Sequence, residues 1–184
     1  DNNKDYFYKV SHTEHGNYLI NNEIKGFAFF NKLKLSEKIY FKHKKKNNYV
    51  RLEIKKIKGF QVNYLNSFAD NSIYFNRVLN FYLKKWPNNK KQICHGDLTL
   101  DNIFFNNSRL TIFDWEHCAC SEKLFFGYDL IYLLLSGIIL PGEKKFDFNS
   151  KEKFKKLYKQ LYDHKIKKFY LNNPFVSIDR IISN

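Results

Sequence analysis

Four polar side chains fall in two short stretches and could act together. His95, Asp97 and Asn102 lie in HGDLTLDN, and Asp114 lies in FDWE. Asp97 and Asn102 flank a loop that leads into the strand-like run NIFF, and Asp114 follows the returning run RLTIF. The Asn106–Asn107–Ser108 stretch between these runs predicts a tight hairpin turn. A hairpin brings its two ends together, so Asn102 and Asp114 are expected at one edge. Two carboxylates and an amide oxygen would then converge. Such hard oxygen donors suit Mg²⁺ rather than zinc, and Mg²⁺ sites commonly combine one or two carboxylates with substrate phosphates.

The cysteines offer a second ligand set. Cys94 precedes His95, and His117, Cys118 and Cys120 follow Asp114. Their spacing is not a usual structural zinc pattern, and the oxygen set is better explained by Mg²⁺. Three Cys are too few for a disulfide scaffold and fit a reducing compartment.

The elements that must carry these groups read in order. Tyr6–Val10 has strand composition, and a helical pattern runs from about Tyr18 to Leu35. Lys38–His43 and Asn48–Ile57 read as a strand pair, with Lys44–Lys46 in a solvated turn between them. Gly59 opens a linker. Asp70–Trp86 reads as a helix capped by Asp70 or Ser72 and followed by Pro87. An apolar helix is expected over Asp129–Leu140 and an amphipathic one over Lys151–Tyr170. The sum is an α+β chain, with a small lobe leading into a larger, mainly helical one.

The spacing H-x-D-x-x-x-x-N followed by a strand-end Asp is a kinase pattern. With Gly after the His and D-W-E at the second Asp, HGDLTLDNIFF…LTIFDWE resembles the aminoglycoside phosphotransferase and choline kinase family. These are small-molecule kinases of protein-kinase-like fold. The resemblance covers about Tyr6 to Leu140 and implies two lobes, divided here as 1–58 and 59–184. It implies ATP and Mg²⁺ as cofactors and a small-molecule hydroxyl as acceptor. By the same resemblance Asp97 is the catalytic base, and Asn102 and Asp114 hold Mg²⁺. Lys9 contacts nucleotide phosphates and pairs with Glu23, while His95 and Asp129 support the catalytic loop. Glu116 and His117 face either the substrate or solvent. The adenine is expected against Glu53–Gly59, with Ile57 and Ile112 as apolar walls.

The family also has strands and a phosphate-covering loop ahead of the strand Lys. Here eight residues precede Lys9, the chain starts with Asp1, and it has no Met. The small lobe is therefore expected to be incomplete. Two alternatives stay open: a scaffold that binds nucleotide without turnover, and a basic nucleic-acid-binding protein.

Composition bounds the remaining classes. The formal net charge of +14 invites a nucleic-acid reading, but only four of the 32 basic residues are Arg (Arg51, Arg77, Arg109 and Arg180). Arg is the residue suited to bidentate phosphate and base recognition, so no specific nucleic-acid partner is expected. The longest apolar run, Leu130–Leu140, is too short for a membrane span. A cytoplasmic protein is expected, and the oligomeric state is left open.

Overall fold

The computed structural model describes residues 5–33, 37–47, 49–62, 68–87, 92–121, 127–130 and 132–133. It is an α+β structure, as expected. The elements are β1 (Tyr6–Ser11), α1 (Glu14–Phe30), β2 (Phe41–Lys46), β3 (Tyr49–Lys55), β4 (Phe60–Gln61) and α2 (Phe68–Lys85). Then follow β5 (Gln92–Cys94), a 3-10 turn at Leu100–Asn102, β6 (Ile103–Asn106), β7 (Arg109–Ile112), a second 3-10 turn at Trp115–His117, and β8 (Ala119–Ser121).

Among the described residues three small sheets form, with strand orders β1-β3-β2, β4-β6-β7 and β5-β8, and all their pairings are antiparallel. The first is built on β3, where Val50, Leu52 and Ile54 alternate inward while Arg51 and Glu53 take the other face. Lys9 pairs opposite Leu52, which puts it on the core-facing side of β1. α1 packs across that side. Its Ile20, Glu23, Phe27 and Phe30 are buried at steps of three and four.

α1 starts earlier than its apolar pattern predicts, because Thr13 caps it. The Thr13 hydroxyl accepts from the Gly16 N–H at 3.1 Å, and Glu14 sits in the favourable first turn. It also ends earlier. Asn31 turns the chain and bonds both the N–H and the C=O of Ile39 at 2.8 Å, tying the helix end to the approach of β2.

Three further expectations are corrected. Lys44–Lys46 belong to β2, and the turn falls at Asn47, which takes a left-handed φ of 49°. The expected linker contains β4, whose Phe60 and Gln61 pair with Phe105 and Phe104. Asp70 and Ser72 lie inside α2 rather than at its cap, since the helix begins at Phe68.

α2 buries Phe75, Val78, Leu79 and Tyr82, and its end delivers Trp86 just before Pro87. Fully burying an apolar side chain of this size contributes about 1.5–3 kcal/mol. Trp86 stacks on Tyr82 and on Trp115 at interplanar angles of 13° and 8°, and its indole N–H donates to the Ile93 carbonyl at 2.7 Å. Trp115 itself is fully buried. It is the residue through which α1, α2 and the segment after Asp114 share one core.

Of the expected helix over Asp129–Leu140, Tyr128–Leu130, Tyr132 and Leu133 are described, and they are helical. The expected helix over Lys151–Tyr170 lies outside the described residues. Among the described residues no helix is long and apolar enough to cross a membrane.

Candidate active site

The hairpin β6–β7 forms in the expected register, with Ile103 opposite Ile112. Beyond that pair the Phe113 N–H donates to the Asn102 carbonyl at 3.1 Å, so the Asn102 and Asp114 ends do lie together. Asp114 then adopts a left-handed backbone, φ 61° and ψ 57°. Asp tolerates this region better than most residues, but the conformation still carries strain that its surroundings must hold. What holds it is Trp115, locked under α1, with its indole N–H donating to the Ile112 carbonyl at 2.8 Å.

The Asp114 carboxylate faces the first sheet. Lys9 Nζ lies 2.6 Å from Asp114 Oδ1, 2.8 Å from Glu23 Oε2 and 4.0 Å from Glu116 Oε2. The expected pairing of Lys9 with Glu23 is thus present, and it includes Asp114. Burial pushes the Lys9 ammonium toward deprotonation, but the Glu23 and Asp114 carboxylates outweigh it, so its pKa is raised. Burial pushes Glu23 up, and the attraction of Lys9 only partly offsets this.

A second network holds the loop after β5. The Asp129 carboxylate accepts the His95 N–H at 2.9 and 3.1 Å and the Gly96 N–H at 3.0 Å. The nearby Tyr82 hydroxyl also favours its ionised form. Burial nevertheless raises Asp129 to about 6 against these donors. Gly96 has φ 88° and passes so close to the His117 backbone that a side chain would not fit.

His95 is fully buried, and burial lowers its pKa to about 4. It is therefore neutral, with a tautomer set by its partners. Nε2–H donates to the Phe113 carbonyl at 2.8 Å, and Nδ1 accepts the Asp97 N–H at 3.3 Å. This is a bracing position, not an acid or base exposed to substrate.

Asn102 completes the loop. Its Nδ2 donates to the Asp97 carbonyl at 2.9 Å and to Asp97 Oδ2 at 3.2 Å. Both bonds use the amide nitrogen, which leaves Oδ1 as a donor for a cation. Together with the second carboxylate oxygen of Asp114, this donor set fits Mg²⁺. Among the described residues no group of three or more His, Cys, Asp or Glu side chains could hold a metal ion, so the cysteines build no second ligand set there. Burial pushes the Cys94 thiol up to about 12.

A cavity of about 470 Å³ opens beside the Lys9 cluster. Lys9, Glu23 and Asp114 form its polar end, and Phe7, Phe27, Ile54, Ile57, Phe104 and Phe113 form apolar walls, with Tyr8 and Gln61 also lining it. The expected wall residue Ile57 is there. Ile112 is not, because it points into the core with no exposure, and strand alternation presents its neighbour Phe113 instead. Asp97 and Asn102 are outside this lining and connect to it through Phe113, which bonds both His95 and Asn102.

Sequence reasoning missed Tyr82, Trp115, Phe104 and Phe113. The only signal was aromatic density. Among so many aromatics it singles out no position, although Trp115 stands inside D-W-E itself.

Comparison with known proteins follows the same stretch. A search of curated proteins gives no match. Among solved structures, the amicoumacin kinase hAmiN, in complex with AMP-PNP, Ca²⁺ and Ami, aligns at 13% identity with a TM-score of 0.46. The alignment covers 84% of this chain and 66% of that one, so this chain spans slightly less than two thirds of that kinase. The family model of the phosphotransferase enzyme family APH matches residues 23–166, which takes in Glu23, the HGDLTLDN loop, Asp114 and Asp129. That match covers most of the sequence, and the chain belongs to the APH phosphotransferase family.

Proposed function

We propose that this chain transfers the γ-phosphoryl group of ATP to a hydroxyl of a small molecule, in the cytoplasm and with Mg²⁺. The observation that carries the reading is the joining of two networks at the β6–β7 hairpin. One is Lys9–Glu23–Asp114 at the end of an apolar cavity. The other is Asp97–Asn102 on a loop braced by His95 and Asp129.

In this reading the adenine lies between the apolar walls, near the β3–β4 connection. Lys9 contacts the α- and β-phosphates, and Glu23 keeps the ammonium in place. Asn102 Oδ1 and Asp114 hold Mg²⁺, which when bound neutralises charge on the phosphate oxygens. Asp97 orients the acceptor hydroxyl and takes its proton as the oxygen attacks. The phosphoryl acceptor is an aminoglycoside, a choline-like amino alcohol or a sugar. Residues 1–58 act as the nucleotide lobe and 59–184 as the catalytic and acceptor lobe.

The test is Mg²⁺-dependent ATP turnover with a panel of such acceptors. Asp97→Ala is expected to lower turnover by about 10²–10⁴. Undiminished turnover in that variant would remove the assignment. Asp114→Ala is expected to abolish Mg²⁺-dependent nucleotide binding, and unchanged binding would point to a different ligand set. Nucleotide binding without turnover by the unmodified chain would favour a scaffold, for which Lys9 already occupying Asp114 Oδ1 is the supporting observation.

A further inference from the structure

The apolar cavity and the catalytic loop meet at one side chain, Gln61. This residue lies on β4, opposite Phe104 of β6, and lines the cavity that ends at Lys9 and Asp114. From there its Nε2 donates to the backbone carbonyl of Asp101 at 2.6 Å. Asp101 is the middle residue of the 3-10 turn Leu100–Asn102, so the bond runs from the cavity wall to the residue just before Asn102.

The neighbouring carbonyls are held from within the loop and its hairpin. The Thr99 carbonyl accepts the Asn102 N–H at 3.2 Å, the Leu100 carbonyl accepts the Ile103 N–H, and the Asn102 carbonyl accepts the Phe113 N–H at 3.1 Å. The Gln61 bond comes instead from a side chain 40 positions away in the sequence. The Asp101 carbonyl and the Asn102 N–H belong to one planar peptide unit. Gln61 grips that unit at its oxygen, and the Thr99 carbonyl grips it at its N–H. A plane held at both ends sets the direction in which the Asn102 side chain leaves the backbone. That side chain then reaches the Asp97 carbonyl at 2.9 Å and Asp97 Oδ2 at 3.2 Å.

We propose that Gln61 is a positioning residue of the phosphoryl-transfer reaction. It fixes the Asp101–Asn102 peptide and, through Asn102 Nδ2, the Asp97 carboxylate that receives the acceptor hydroxyl. The inference rests on the phosphotransferase reading above. Gln61 takes no proton and forms no bond to phosphorus. Its carboxamide is uncharged and remains a donor throughout. Because the same carboxamide lines the cavity, the nucleotide and the catalytic loop share one group.

Two measurements on the full chain test this. Gln61 is exposed and β4 pairs through its backbone, so a new side chain there leaves the strand pairing in place. The first measurement is steady-state Mg²⁺-dependent ATP consumption, with water and with the acceptor panel, for Gln61→Leu, Gln61→Glu and the unmodified protein. Leu keeps the bulk and loses the donor. Glu keeps the shape and, when ionised, offers only acceptors to the Asp101 carbonyl. Both variants are expected to lower kcat by about two- to tenfold, with KM for ATP within about twofold, as for loss of one neutral hydrogen bond. The second measurement is the backbone ¹³C carbonyl resonance of Asp101, assigned through the Asn102 amide. A donor on the oxygen deshields that carbon, so both variants are expected to move it upfield, and the side-chain amide resonances of Asn102 should shift with it.

Unchanged kcat in both variants overturns the proposal, as does an Asp101 resonance indifferent to both substitutions. A rise in KM for ATP with kcat preserved also overturns it, since that places Gln61 on the nucleotide alone. An unmodified protein that consumes no ATP under any of these conditions removes the phosphotransferase reading, and this role with it, whether or not the Asp101 resonance responds. That outcome is distinct from an active enzyme indifferent to Gln61→Leu.

Discussion

Gly26→Ala is the perturbation that tests most directly how the site is held. On an exposed helix the change would stabilise by about 1 kcal/mol, because Ala is the better helix former. Gly26 is not exposed. A Cβ there would come within 3.0 Å of the Cβ, Cγ and Cδ2 atoms of Trp115. Ordinary carbon contacts lie at about 3.5–4.0 Å, so something must retreat by roughly 1 Å. The indole cannot easily do so. It is fully buried, stacked on Trp86, flanked by Phe29, Phe30 and His95, and bonded to the Ile112 carbonyl. The helix must move instead. Overpacking of this kind typically costs about 1–3 kcal/mol and sometimes more, and an indole that cannot retreat puts this case at the upper end, so the net expectation is destabilisation by about 2 kcal/mol after the helix-propensity gain.

Glu23 lies one turn before Gly26, so the same displacement pulls it from Lys9, and Mg²⁺–ATP affinity should fall with stability. Urea unfolding of the full chain gives the first number, and a nucleotide titration gives the second. Gly16→Ala is the control. Its Cβ would meet the half-buried Ser11, whose hydroxyl can rotate away and whose Cβ at 2.9 Å needs only a small shift, so its loss should be smaller than at Gly26. A Gly26→Ala protein at least as stable as the parent would refute the account of Trp115 as the fixed point beneath the site.

Lys9→Met should destabilise by about 1–3 kcal/mol, because it strands the Glu23 carboxylate, whose side chain is only 2% exposed. The range is set low because Lys9 is 37% exposed, and adding Glu23→Gln should recover part of the loss in a double-mutant cycle; simple additivity would argue against the pair. The pH dependence carries two opposed contributions. His95, lowered to about 4 from 6.5, contributes stability that is present above pH 6.5 and is lost as pH falls toward 4. Asp129, raised to about 6 from 3.8, contributes in the opposite sense, with stability present below 3.8 and lost as pH rises through 6. Each amounts to roughly 3 kcal/mol, so they largely offset one another between about pH 4 and 6. His95→Gln removes the first alone, and its urea midpoint should rise relative to the parent's on acidification from pH 6.5 to 4.5. Parallel profiles for the two proteins would contradict the buried, neutral His95.

Much of the site was legible because its chemistry is local. The hairpin register followed from two strand-like runs around a short turn, and the placement of Asn102 beside Asp114 followed from the register. Lys9 meeting Glu23 was legible in element order, since a strand and the helix after it face each other. Lys9 reaching Asp114 was not, because that contact spans most of the described chain and depends on the left-handed backbone at Asp114. Helix ends were misread where polar residues decide them. Thr13 and Asn31 set the limits of α1 through bonds that an apolar periodicity does not contain. The wall residue Ile112 was misplaced by one position, and in a strand one position is the opposite face.

The lysine run of β2 has a consequence of its own. Among the described residues β2 forms an outer strand of its sheet, and its sequence FKHKKK lines that row of backbone donors and acceptors with like charge. A second molecule approaching that row meets four ammonium groups, which repel its own. At the other margin β1 has no strand on its far side among the described residues, and it exposes Phe7 and Val10. Within this sheet, among the described residues, the lysines guard the β2 margin, so a further strand is directed to β1 rather than to β2.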